Sequence, residues 1–425
     1  MAKLINQGAY GCVYYPGFTC KGNTNKQKEF ITKLEIYDRT SKNEIEISNK
    51  IKKIKNFSKF FGPVINHCIT LFSEINKNRD KLQDCKAVNI DNHEYNDFLL
   101  IYIKYIESKD IDKYLLDIEI PSIYLSKILN CYNYTLNSIE KLQKHNIIHY
   151  DLHTGNIIYN LKTNVPIIID FGLAIDKTKI INTKNKINYL QLKKSTMHYS
   201  PKHYTYPPEL HFITYVLSDI DEKNIEKNLK KKINEEDINI FVNNIFEENK
   251  IQKRYIYYIE EKYNIKIDKY SYKKELEKYY KKFSNKTKKE VIDTLFEKME
   301  YLDYYTATID YCIILIKKID RIIMQDSIGK NNTIIKIIFF LLELLSINLT
   351  VDTENRFTLK EYITINELIF QNNNSSSKVL ENIKKDKNLS YKIEQNKNHY
   401  ISLNFKILDD TNVRDFFEII KNSII

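Results

Sequence analysis

Apolar positions along the chain follow two periods. Short runs that are apolar or alternate with polar residues read as strands over residues 29–36, 60–65, 96–106 and 166–169. A helical period appears at 42–54, where Ile45, Ile47, Ile51 and Ile54 recur. It returns at 121–143, where Ile123, Leu125, Ile128, Leu129, Tyr132, Leu136, Ile139 and Leu142 predict a long buried helix. The apolar run 334–345, interrupted by Lys336 and Glu343, falls short of the roughly 20 residues that span a bilayer and reads as a buried helix. The polar stretch 76–96 reads as a surface insertion. A second insertion, about 213–300, is dense in Lys, Glu, Ile and Tyr; Ile240, Val242 and Ile245, then Tyr257, Tyr258 and Tyr263, predict short amphipathic helices there. Residues 372–377 (NNNSSS) read as a flexible linker by composition. Asp409, Asp410 and Thr411 then predict a helix start ahead of Val413, Phe416, Phe417, Ile419 and Ile420.

Composition changes this picture little. The 425 residues are 43% apolar, enough for substantial cores, and carry a net charge of +11. The charges are interleaved, as where Lys230, Lys231 and Lys232 give way to Glu235, Glu236 and Asp237, which favours a solvated face and makes nucleic acid an unexpected partner. The six cysteines form no CxxC pair and no secretory leader opens the chain, so scattered reduced thiols in a cytoplasmic compartment are expected, ahead of a metal site built from Cys20, Cys68 and Cys85. No membrane partner is expected, and composition leaves the oligomeric state open. The absence of Trp, with 33 Tyr and abundant Ile, Lys and Asn, suggests an AT-rich genome.

The chemistry concentrates in two runs, His149-Tyr150-Asp151-Leu152-His153-Thr154-Gly155-Asn156 and, after the strand 166–169, Asp170-Phe171-Gly172. Phosphoryl transfer from ATP needs a carboxylate that orients the attacking hydroxyl, and an amide and a second carboxylate that hold Mg²⁺ on the phosphates. In order and spacing the chain resembles the eukaryotic-type protein kinases from residue 1 to about 365. The resemblance implies an α+β, bilobal fold: a small β-rich N-lobe (about 1–106) with a helix αC, a large helical C-lobe (about 107–365), and a C-terminal extension over 366–425. It implies Asp151 as the catalytic carboxylate, Asn156 and Asp170 as ligands of Mg²⁺ (or Mn²⁺), ATP as cofactor, and His149, Phe171 and Gly172 as residues that align the site.

Under the same resemblance, Ile5, Asn6, Gln7, Gly8, Ala9, Tyr10, Gly11, Cys12 and Val13 match the glycine-rich loop over the phosphates, with Asn6 in place of its first glycine. Asn is the residue after glycine that best tolerates positive φ, so the turn is expected to survive. Lys33 becomes the lysine that contacts the α- and β-phosphates, with Lys26 and Lys28 as alternatives. Glu44 is its expected ion-pair partner and Glu46 the runner-up. Ile31 lies where a small residue usually roofs the base, Ile103 is the gatekeeper, and Lys104, Tyr105 and Ile106 form the hinge that binds adenine. Further on, Tyr206-Pro207-Pro208-Glu209 takes the place of the APE triplet, Arg356 is the expected partner of Glu209, and Asp303 matches an aspartate that supports the catalytic loop.

The departures are informative. Tyr150 stands where regulated kinases carry an arginine, so a phosphate on Ser195, Thr196 or Tyr199 has no evident receptor and activation-loop phosphorylation is not expected to be required. His153 replaces the lysine of typical Ser/Thr kinases and Gly155 the arginine of many tyrosine kinases, so neither class marker is present. The expected activity is γ-phosphate transfer from Mg-ATP to Ser or Thr of protein substrates. A non-catalytic scaffold of the same fold and an atypical small-molecule kinase are the alternatives. In composition, glycine-rich loop and Pro-Pro-Glu segment the chain resembles divergent Ser/Thr kinases of giant DNA viruses, which implies host cytoplasm or virion as its location.

Overall fold

A computed structural model describes residues 3–8, 11–18, 27–71, 85, 97–182, 186–196, 198–203, 205–248, 271–325, 333–371, 374–396 and 403–422. The chain is mixed α+β, with a small β-rich N-terminal region and a helical C-terminal part. It divides into two compact units: Met1–Ile111 together with Lys141–Asp176, and Asp112–Glu140 together with Lys177–Ile425. Residues 141–176, which hold both chemistry-bearing runs, thus belong with the N-terminal strands.

The first unit contains an antiparallel sheet of β1 (Lys3–Gln7), β2 (Gly11–Tyr15), β3 (Phe30–Ile36), β5 (Val64–Thr70) and β6 (Phe98–Lys104), in the order β1-β2-β3-β6-β5. Alternation along the strands gives the sheet two apolar faces. Cys12, Tyr14, Leu34, Phe98, Leu100 and Tyr102 pack on one, and Val64, Leu99, Ile101 and Ile103 on the other, with Ile31 and Ile45 against them. Lys33 lies opposite Val13 and Ile101 in the register and so shares the second face. The helix α1 (Arg39–Ile51) starts three residues earlier than its apolar period suggests, because Asp38 and Ser41 form a reciprocal capping box. Its buried face is Ser41, Glu44, Ile47, Ser48 and Ile51.

A smaller sheet follows the order β4-β10-β9-β7, from Phe61–Gly62, Val165–Ile169, Ile157–Asn160 and Ser108–Asp110. The two-stranded pair β8 (Ile147–Ile148) and β11 (Ile175–Asp176) flanks it in sequence.

The cysteine expectation is corrected. Cys12 and Cys85, 73 residues apart, form a disulfide, Cys68 is disulfide-bonded as well, and Cys131 and Cys312 are buried thiols; Cys20 lies outside the described residues. Whether two thiols meet depends on the Cα separation the fold creates, and linear spacing without a CxxC pair carries no trace of it. The reasoning from scattered thiols to a reducing compartment therefore falls.

In the second unit the helices Pro208–Ser218, Glu235–Glu248, Ser271–Lys281 and Lys288–Phe296 carry the charged insertion. Val242 and Ile245 are buried as the amphipathic pattern requires, Ile240 is exposed, and Tyr257, Tyr258 and Tyr263 lie outside the described residues. The helix Pro121–Gln143 has the predicted bounds and buries its predicted residues except Ile123, which is exposed. The apolar run forms the helix Thr333–Ser346, buried on most sides. Among the described residues, no helix is long and apolar enough to cross a membrane.

The expected flexible linker, 372–377, lies partly outside the described residues. Ser375 stands at the N-cap position of the helix Ser376–Lys385 without a side-chain cap bond, and the backbone and hydroxyl of Ser376 both donate to the Asp409 carboxylate. Val379 and Ile383 of that helix are buried. The predicted final helix forms over Thr411–Asn422, with Val413, Phe417 and Ile420 buried and Ile419 exposed.

Candidate active site

Three short segments of the first unit converge because of strand pairing. In the β9–β10 hairpin Ile157 lies opposite Ile168, so Asn156, just before β9, and Asp170, just after β10, leave the same end of the ladder. The segment 149–151 follows β8. The His149 ring ties it to that end: Nε2 donates to the Ile169 carbonyl at 2.9 Å. Burial pushes the His149 pKa down to about 4, so the ring is neutral and its proton stays on that bond. Phe171 packs against His149 at 5.0 Å between ring centroids and against Phe61 at 6.1 Å.

Asn156 Nδ2 donates to the Asp151 carbonyl at 2.8 Å, which leaves its side-chain carbonyl oxygen as the atom that could act as a ligand. His153 accepts from the Gly155 N–H at 3.0 Å through Nδ1, so its proton is on Nε2, 3.8 Å from Asp151 Oδ2. A Cβ on Gly155 would come within 2.8 Å of the His153 ring, so the glycine is what lets the imidazole fold back. Backbone strain is confined to informative places. Of the non-glycine residues with positive φ among the described residues, only Tyr150 (72°) and Asp170 (63°) are not asparagine. A buried tyrosine held there costs about 1–2 kcal/mol, which the surrounding fold must impose.

The centre of the site is Lys33. Its ammonium is 3.1 Å from Glu44 Oε2, 3.2 Å from Asp170 Oδ1 and 2.6 Å from Glu35 Oε1. Of the candidates weighed from sequence, Lys33 and Glu44 are the two brought together; Glu46 is exposed and Lys26 lies outside the described residues. Burial alone lowers the Lys33 pKa, but Glu44, Asp170 and Glu35 more than reverse that and hold it charged. Burial pushes Glu44 up to about 8 against the pull of Lys33, and raises Glu35 as well. Burial also works to raise Asp170, yet the charge and hydrogen bond of Lys33 outweigh it, so this carboxyl sits below its ordinary value and is ionised. The Asp170 side chain is 41% exposed, open to a ligand as Glu44 at 2% is not.

Two positioning residues had no recognised signal in the sequence. Asn43 donates to the carbonyls of Gly172 (3.0 Å) and Ala174 (2.8 Å), fastening α1 to the segment after Asp170. Glu35 stands two residues beyond Lys33 on one strand face, a spacing that strand alternation alone puts on the lysine's side.

The loop and hinge expectations divide. Asn6 does not take up positive φ; it lies in β1 opposite Val13, beside a register shift between Leu4 and Asn6. The turn is closed instead by Gly8 N–H on the Gly11 carbonyl, 2.9 Å. Ile5, Gln7 and Gly8 are exposed, while Ala9 and Tyr10 lie outside the described residues. The Cys12 side chain is on the sheet face away from Lys33, bound to Cys85. At the expected hinge Lys104 ends β6 and is exposed, Tyr105 N–H donates to the Glu29 carbonyl at 2.8 Å, and the Ile106 carbonyl accepts from Ser108 Oγ at 3.0 Å.

In the second unit Arg356 grips Glu209 through NH1 at 2.6 Å and NH2 at 3.0 Å, and Asp303 is buried in the first turn of the helix Leu302–Gln325. No family model and no curated protein matches the chain.

Proposed function

We propose that the chain is an ATP-dependent protein kinase with the bilobal kinase fold, transferring the γ-phosphate to Ser or Thr hydroxyls of protein substrates. The observation that carries the reading is Lys33 held between Glu44 and Asp170, in the unit where Asn156 is locked to Asp151. An ionised, accessible aspartate and an amide with its nitrogen anchored supply hard oxygen donors, which suit Mg²⁺. Asn156 and Asp170 would hold it. Bound there, Mg²⁺ neutralises charge on the phosphates.

The chain's own groups divide the remaining work. Lys33 orients the α- and β-phosphates, and Glu44 fixes Lys33. Asp151 accepts the hydroxyl proton as the substrate oxygen bonds to the γ-phosphorus. The bond from that phosphorus to the β–γ bridging oxygen breaks, and ADP leaves with the electron pair. Tyr150 is buried and offers no guanidinium, which supports activity without a phosphorylated activation loop.

The test is phosphate transfer from γ-labelled Mg-ATP to a mixed protein substrate, with phosphoserine, phosphothreonine and phosphotyrosine resolved. Wild type is expected to label Ser and Thr, and Asp151→Asn to lose about 10²–10⁴-fold in kcat. Absence of transfer by a wild type that binds ATP would discard the protein-kinase reading in favour of a scaffold or a metabolite kinase.

A further inference from the structure

Lys33 faces three carboxylates, and the proposed chemistry uses two of them. Glu44 orients the lysine and Asp170 holds metal, but Glu35 has no part in that scheme and makes the shortest contact, 2.6 Å against 3.1 and 3.2 Å. An ammonium has three donors, so all are taken before any phosphate arrives. Glu35 is 4% exposed, and its second oxygen, Oε2, has no hydrogen-bond partner. Burying a half-satisfied carboxylate is costly, and an apolar residue at this position would fill the space without that cost. The β2 strand of the glycine-rich hairpin runs beside it. Gly11 lies opposite Glu35 in the register, and a Cβ there would come within 2.7 Å of Glu35 Cγ.

We propose that Glu35 is a positioning residue that holds Lys33 away from the phosphates in the empty protein, so that Mg-ATP binds by taking the lysine from it. This rests on the reading of the site as an ATP site. Glu44 and Asp170 keep their contacts through the exchange. Lys33 gives up the Glu35 oxygen for a phosphate oxygen, and Glu35 is left without its cation. The residue thereby sets a threshold: adenosine, which has no phosphate, meets none of this opposition.

The experiment is titration calorimetry of the full chain with Mg-ATP and, separately, adenosine, for wild type and Glu35→Gln, with thermal melts as the check on folding. Glu35→Gln is expected to bind Mg-ATP roughly tenfold tighter and adenosine unchanged. In steady state its KM for ATP falls while kcat holds, a split that a merely structural residue does not produce. If Glu35→Gln does not fold, Glu35→Asp, whose shorter arm withdraws the carboxylate from Nζ, takes its place and must also tighten Mg-ATP. Wild type that binds Mg-ATP while the variant binds it equally or more weakly overturns the role of Glu35 alone. Wild type that binds no Mg-ATP overturns the ATP reading, and this inference with it.

Discussion

Arg356 in the second unit and Lys33 in the first are both buried cations, 1% and 8% exposed, and they are satisfied in opposite ways. Arg356 meets one carboxylate in a two-pronged contact, gives its Nε to the Thr350 carbonyl at 2.9 Å and lies 4.9 Å from the Tyr305 ring centre. Charge is balanced one to one, and nothing in that arrangement calls for a ligand. Lys33 meets three carboxylates, so its pocket is acidic whenever all are ionised, and one of them is 41% exposed. A balanced buried pair ties segments together, whereas an unbalanced one is completed by what binds to it. On the function proposed above, the contrast is that between a structural ion pair and a functional one.

The largest effect should come from removing each cation. Arg356→Met leaves Glu209 buried and uncompensated and is expected to cost the second unit about 3–5 kcal/mol in urea unfolding, much of it recovered by adding Glu209→Leu. Lys33→Met should abolish phosphate transfer yet cost the first unit clearly less, because Glu44, already pushed up to about 8 by burial, is accommodated there as the neutral acid. Equal losses from the two substitutions would break the comparison.

A half-buried carboxylate with no cation partner among the described residues sharpens it. Glu343, in the helix Thr333–Ser346, is pushed up to about 7 by burial, eased only by the Asn404 N–H at 2.9 Å. The folded form keeps this proton up to about pH 7 and the unfolded chain releases it near 4.5, so in between the unfolded state binds fewer protons and stability falls as pH rises. The contribution is complete below 4.5, and up to about 3 kcal/mol of it is lost by pH 8. Unfolding of the second unit measured at pH 5 and pH 8 should show the decline, and Glu343→Gln should flatten it. A wild-type profile already flat would mean that Glu343 is ionised throughout.

Much of the site was legible because its residues are close in sequence or set by period. Asp151, Asn156 and Asp170 come from one hairpin and its flanks, where spacing of a few residues fixes geometry, and the bounds 121–143 follow from a period sustained over six turns. Pairing of Lys33 with Glu44 was legible because Ile47 and Ile51 mark the buried face of α1 and Glu44 shares it. What escaped was contact between distant segments. The Cys12–Cys85 bond and the clasp of Asn43 on Gly172 and Ala174 depend on tertiary approach that no local pattern encodes. The helix that starts at Ser376 escaped for a related reason: serine suits a helix terminus as well as a coil, and the Asp409 carboxylate that Ser376 binds is 33 residues away.

The smallest effect concerns the two glycines of the hairpin, which the sequence presents as equivalent. A Cβ on Gly11 would lie 2.5 Å from the Leu34 carbonyl oxygen and 2.7 Å from Glu35 Cγ, and the carbonyl, being backbone, can yield only if the β2–β3 ladder opens. Gly11→Ala is therefore expected to cost about 1–3 kcal/mol, and to disturb the Lys33 pocket because the side chain it presses on is Glu35. Among the described residues, leaving out its chain neighbours, Gly8 has no atom within 4 Å of where a Cβ would stand, and it is not in the left-handed region, so Gly8→Ala should change stability by only a few tenths of a kcal/mol. Paired melting curves with Mg-ATP titrations on the two variants distinguish the roles. If Gly8→Ala leaves the fold intact but weakens Mg-ATP binding, that glycine is needed for the close approach of a phosphate to the turn, whereas Gly11 is needed by the strand beside it.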